Sequence, residues 1–120
     1  MPTQNIVLKF TTTDSEPQIA KFRRGAFGSE NRITFNLKKA DGSNISVLNP
    51  SNDKIYVEFC DFKKSTYFNQ QITIGNDNIS AYLDVPNGTF SVPIMLFVRC
   101  YRIYSDGNAE PTEEILWEVV

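Results

Sequence analysis

Along most of this chain apolar and polar residues alternate with a period of two, the spacing of half-buried strands, and helical spacing hardly occurs. Ile6-Val7-Leu8-Lys9-Phe10 places Ile6, Leu8 and Phe10 on one face. Arg32 to Lys38 does the same with Ile33, Phe35 and Leu37, and Asp41-Gly42 follows as a turn in which glycine accepts positive φ at little steric cost. Lys54 to Cys60 turns Ile55, Val57 and Phe59 inward. Gln71 to Ile74 and Ile79 to Leu83 flank the cluster Gly75-Asn76-Asp77-Asn78 and predict a hairpin.

Pro86-Asn87-Gly88 supplies a further turn. The apolar run Ile94 to Tyr104 predicts a central strand covered on both faces, closed by Asp106-Gly107, and Glu114 to Val120 forms the last strand. Gln18 to Arg23 reads as a short additional edge strand and Thr11 to Pro17 as a polar connection; Asp61 to Asn69 is the one stretch where a helix is conceivable, and its polar part around Tyr67 and Phe68 reads rather as a loop. The pattern therefore predicts one all-β domain spanning 1–120, an antiparallel β-sandwich of seven to eight strands of immunoglobulin-like or jelly-roll-like type.

Composition agrees with that picture. The 120 residues suit one core, and nine Phe and five Tyr among abundant Thr, Ile and Val fit a pleated, half-buried surface. A net charge of −2 with both signs interspersed argues against nucleic acid as partner. No run approaches the length of a membrane span, and the N-terminus predicts neither a signal peptide nor an anchor.

Candidate chemistry is sparse. The chain contains no histidine, which excludes Ser-His-Asp and Cys-His sites and removes the commonest zinc ligand. A carboxylate pair drawn from Glu58, Asp61 and Asp84 is the one arrangement left for hydrolysis, and any β protein rich in acids offers as much. Gly25-Ala26-Phe27-Gly28-Ser29 lacks the ending of a phosphate-binding loop, and the clusters at Asn76 to Asn78 and Asn49 to Asp53 lack calcium-loop spacing. No catalytic residue, cofactor or metal is expected. By alternation Cys60 faces outward and Cys100 inward, so two free thiols are expected.

The aromatics carry what remains. Tyr56, Tyr82 and Tyr101 alternate with inward positions and are expected on outer faces. Tyr67 and Phe68 stand in a polar stretch, and Trp117 lies in the last strand, which either pairs within its own sheet or meets a neighbour. With Arg23 and Arg24 these residues form the candidate interface.

Arg23-Arg24-Gly25, then Ile33 to Ser43, then Ile55 to Phe59 resembles the opening of small β-sandwich domains in phage tail and baseplate proteins, the upper-baseplate N-terminal domain family. There a basic-Gly segment precedes a strand of the form tFtLkdaDGs. Gln71 to Ile74, Ser80 to Asp84 and Gly88-Thr89-Phe90 are similar to the hairpin and turn that follow. Ile45 to Pro50 departs from the family's DLTG run, and the strand around Ile6 is additional. The resemblance, over about Lys21 to Arg102, implies a non-enzymatic structural protein of the bacteriophage particle. Such a protein would be a capsid auxiliary or a tail or baseplate adaptor, in contact with other virion proteins and with copies of itself. The alternative is a carbohydrate- or receptor-binding module using Tyr67 and Phe68 as a sugar platform.

Overall fold

The computed structural model describes residues 3–10, 19–22, 31–63, 65–85 and 93–119. Among them are nine strands and no helix. They are β1 (Thr3–Lys9), β2 (Ile19–Phe22), β3 (Asn31–Lys38), β4 (Lys54–Cys60), β5 (Thr66–Ile74), β6 (Ser80–Val85), β7 (Ile94–Ile103), β8 (Ala109–Pro111) and β9 (Ile115–Val119). Eight form one hydrogen-bonded path, β1-β3-β6-β5-β4-β7-β9-β2, and the short β8 pairs with β7 beside it.

Two features depart from the expected antiparallel sandwich. The end pairs of the path, β1 with β3 and β2 with β9, are parallel. The described strands also form a single mixed sheet that curls, and the change of direction falls at β5. Most of β5 pairs with β4, from Ile72 opposite Ile55 to Thr66 opposite Cys60. Only Thr73 and Ile74 pair with β6, opposite Tyr82 and Ala81. One strand thus belongs to two ladders, and the sheet turns there.

Curling is what the alternation demands. Each long strand carries its apolar set on one side: Ile6 and Leu8, Ile33, Phe35 and Leu37, Ile55, Val57 and Phe59, Leu96, Val98 and Cys100, Ile115, Trp117 and Val119. All of these fall in one buried cluster. A flat sheet would leave that face in water. At roughly 25 cal/mol per Å² of apolar surface, its exposure would outweigh the few kcal/mol of net stability a domain has.

Residues 112–113 tie β1, at one end of the path, to β7. Phe10 forms a bridge with Thr112, and the Glu113 amide donates to the Lys9 carbonyl at 2.8 Å. Thr112 also exchanges bonds with Cys100: its amide reaches the Cys100 carbonyl (2.8 Å), and its Oγ1 accepts from the Cys100 amide (3.0 Å).

The turns behave as their residues require. Gly42 and Gly107 have φ of 89° and 88°, and Asn78 enters the left-handed region at 57°. Asp77 anchors the β5–β6 hairpin by accepting from the Ile79 and Ser80 amides, both at 3.1 Å, and those bonds hold its carboxyl below the usual range.

Three local expectations change. The stretch read as a loop, 61–69, is strand from Thr66 onward. β7 pairs with both β4 and β9, so it is central, but only its inner face is fully buried. The last strand is paired within its own sheet, between β7 and β2. The polar connection at 11–17 and the turn at 86–88 lie outside the described residues.

Candidate interaction face

The outer face of β5, β4, β7 and β9 collects most of the chemistry that the core leaves over. Register sets it out in rows across the strands. In the first row Gln71 stands opposite Tyr56, and Tyr56 opposite Tyr101. The two tyrosine rings stack with centroids 5.6 Å apart and planes 7° from parallel. Asn69 Nδ2 donates to the Tyr101 hydroxyl at 2.8 Å, fixing one edge of the stack.

The second row is charged. Glu58 stands opposite Arg99, whose guanidinium lies 3.3 Å from the Glu58 carboxylate and 3.6 Å from that of Glu114. The third row is apolar: Phe97 stands opposite Leu116, and Phe62 sits edge-on against Phe97 at 5.2 Å and 85°. Phe62 is 63% exposed, an uncommon state for a large ring unless something covers it.

The expected interface residues fall in different places. Tyr56 and Tyr101 are together on this face. Tyr67 shares its side of β5 with Asn69 and Gln71 and is 40% exposed. Phe68, the next residue, points the other way, because successive strand residues alternate. It packs against the core, edge-on to Phe59 at 6.0 Å. The two rings therefore share no plane, and a sugar platform made of both is not formed.

Tyr82 lies elsewhere, on β6, under the Arg32 guanidinium at 4.0 Å. Arg32 also holds Asp84 through two hydrogen bonds of 2.7 and 3.1 Å. Trp117 has no exposed surface: with Ile115 and Val119 it points into the core and meets Phe59 edge-on, so it offers no surface contact. Arg23 and Arg24 lie outside the described residues.

Sequence reasoning missed Phe62, Phe97, Asn69, Glu58 and Arg99 as members of one face. Alternation from Leu96 and Val98 gives Phe97 and Arg99 their outward side. The cross-strand register that unites them is non-local and has no short-range signal.

The acids considered for hydrolysis serve structure. Asp84 binds Arg32, Glu58 binds Arg99, and Asp61 accepts from the Lys63 and Ser65 amides, both at 2.9 Å. No group of three or more His, Cys, Asp or Glu suited to a metal ion occurs among the described residues. Both thiols are free. Burial raises Cys100, and burial together with a hydrogen bond to Glu58 pushes Cys60 up to about 11, so neither is a reactive thiolate at neutral pH.

Two open clefts lie among the described residues. One of about 450 Å³ lies between Pro50, Asp53 and the end of β5. The other, of about 280 Å³, is lined by Phe10, Lys39, Ile45, Arg102, Tyr104 and Glu110. The Arg102 guanidinium stands between them, 2.9 Å from Asp53 and 4.5 Å from the centroid of the Tyr104 ring.

Among known proteins, no family model and no curated sequence matches the chain. Solved structures do. The N-terminal domain of ORF48 of phage TP901-1 superposes with a TM-score of 0.62, covering 99% of this chain and 98% of that one. The fold is shared with a phage protein domain. Sequence identity is 14%, so the likeness is one of fold alone. The resemblance to phage baseplate domains is thus supported in part: the fold is that of a phage protein domain, without support from sequence comparison.

Proposed function

We propose that this chain is a non-enzymatic structural protein of a bacteriophage particle, positioned at the capsid surface or in the tail or baseplate, and acting through protein–protein contacts. The observation that carries the reading is the end-to-end match in fold with the phage ORF48 domain. The missing histidines support it from the side of chemistry, since the residue most often used for proton transfer near neutral pH is not in the sequence. The rows of aromatic and paired charged residues outside β4 and β7 support it from the side of the surface, because aromatics and arginine are enriched where proteins meet. Virion proteins are the partners that follow, and the virion is the location.

The test is a density gradient of phage particles produced with the gene present, probed with an antibody to the chain. The expected result is signal in the particle band that survives a high-salt wash. Signal confined to the soluble fraction at the top of the gradient would overturn the proposal.

A further inference from the structure

We infer that the cleft between the 49–53 turn and the end of β5 binds a neutral, hydroxyl-rich ligand, a short saccharide; this goes beyond the structural role proposed above and does not rest on it. The cleft opens because the sheet changes direction there. The β4–β5 ladder ends with Ile55 opposite Ile72, and β5 continues with Thr73 and Ile74 opposite β6. The Gly75 amide donates to the Ser80 carbonyl. By antiparallel alternation Thr73 then aims its backbone groups at β6, and Ile74 aims its own away, to the side that β4 has left. An amide and a carbonyl of Ile74 thus border a space of about 450 Å³, within the roughly 300–1,000 Å³ of small-ligand sites.

Asp53 supplies the second element. Its side chain is 9% exposed, and Oδ2 is taken by Arg102 Nη2 at 2.9 Å and by the Asn49 amide at 2.8 Å. Oδ1 bonds to nothing among the described residues, yet it keeps accessible surface, and Asp53 lines the cleft. A carboxylate this buried holds an acceptor open only where something can answer it. Lys54, Gln71 and Thr73 line the same cleft, and Pro50 forms an apolar part of its wall. Acceptors and donors therefore alternate around it. An anion meets Asp53 Oδ1 and the Ile74 carbonyl, and a cation meets Lys54. Hydroxyls, which donate and accept at one atom, satisfy both kinds of group. An extended peptide is a poorer fit, because the strand edge left open by the bend is only Ile74.

The experiment titrates the full chain, labelled with nitrogen-15, with glucose, galactose, mannose, rhamnose, N-acetylglucosamine, maltose and cellobiose into the millimolar range. Glucosamine and glucuronate serve as charged counterparts of glucose. Amide shifts locate the site, and thermal melting checks each variant. The inference expects saturable shifts at Asp53, Lys54, Thr73 and Ile74 with at least one neutral sugar. Affinity should fall at least about tenfold in the double variant Lys54→Met and Gln71→Ala, two exposed positions, and stay unchanged in Phe62→Ala beyond the far end of β4. Absence of saturable shifts with every sugar would overturn it, as would shifts centred elsewhere or a folded double variant that binds like wild type. Tighter binding of glucosamine or glucuronate than of every neutral sugar would overturn it too, because charge and not hydroxyls would then select the ligand. None of these outcomes bears on whether the chain is found in phage particles, so the structural role is judged separately.

Discussion

Strands β4 and β7 carry two faces with opposite characters. Inside, Ile55, Val57 and Phe59 join Leu96, Val98 and Cys100 in the core, all six without exposed surface. Outside, the same strands hold the Tyr56–Tyr101 stack and the Glu58–Arg99 pair half in solvent. The inner face is specified residue by residue, since each position needs only to be apolar and to fall on the right parity. The outer face is specified by pairs across strands, and its members mean little until register brings them together. The difference teaches that core contacts set the stability of this domain, while its outer contacts are worth less energy.

The two thiols give the sharpest way to break that comparison, because they sit on opposite faces. At pH 8 Cys100 is expected to react with a disulfide reagent only through opening of the core, at least about a thousandfold more slowly than a free thiol. Cys60 reacts faster, at a rate that climbs with pH towards its raised value of about 11. Mass-resolved labelling distinguishes the sites, and equal rates would show that the inner face is not sealed. Because folding raises both thiols above their ordinary value of 9.0, the native state keeps protons that the unfolded chain releases. That contribution is fully present below about pH 9 and is lost as pH rises through the folded values, so the urea midpoint should fall between pH 9 and pH 11. Cys60→Ser should flatten part of the decline.

Neighbouring residues of β9 give the next largest contrast. Trp117 is fully buried and Leu116 half-exposed. Trp117→Ala is expected to destabilise by about 3–5 kcal/mol through lost burial and a cavity beside Phe59. Leu116→Ala should cost about 1 kcal/mol or less. Urea denaturation of the two variants measures the difference, and similar losses would mean that the outer face belongs to the core.

How much of this was legible beforehand depends on the range of the interaction that decides each feature. Ile33, Phe35 and Leu37 announce β3, and Ile55, Val57 and Phe59 announce β4, because a half-buried strand writes its parity into neighbouring residues. The hairpin around Asp77 was legible for the same reason. The first part of β5 was not: Asn69, Gln70 and Gln71 are all exposed, which leaves Phe68 and Ile72 as its inward apolar pair. Cys60 has outward parity, as expected, yet it is buried beside the register shift between Phe59 and Cys60. The parallel pairs β1–β3 and β2–β9 join segments far apart in sequence, and nothing local encodes them. Trp117 shares the inward parity of Ile115 and Val119, so its burial could have been read from the last strand.

At the rim of the core the comparison blurs, and the Asp53–Arg102 pair tests where the inside ends. Arg102 continues the inward parity of Leu96, Val98 and Cys100, and its side chain is 14% exposed against 9% for Asp53. Asp53 Oδ2 also accepts from the Asn49 amide at 2.8 Å, tying the 49–53 turn to the strand. Asp53→Leu is expected to cost about 2–3 kcal/mol, mostly because a guanidinium is left buried without its carboxylate. Adding Arg102→Leu should recover much of the loss, since two apolar side chains can replace a buried pair at little net cost. Chemical denaturation of the singles and the double decides it. A double variant as unstable as the sum of the singles would place the pair in solvent.

The smallest effect belongs to the outer face itself. Tyr56 and Tyr101 lie almost parallel, and stacking of this kind is worth about 0.5–1.5 kcal/mol beyond the area it covers. A double-mutant cycle with Tyr56→Ala and Tyr101→Ala should return a coupling in that range. Because Asn69 bonds to the Tyr101 hydroxyl and not to Tyr56, Tyr101→Phe should remove the hydrogen bond and leave most of the coupling in place. Coupling that vanished in the Tyr101→Phe background would mean that the hydroxyl, not the ring face, organises this row. The flat surface would then be a by-product of one hydrogen bond. A coupling that persists makes the stack a preformed aromatic surface, held by its ring faces at small energetic cost.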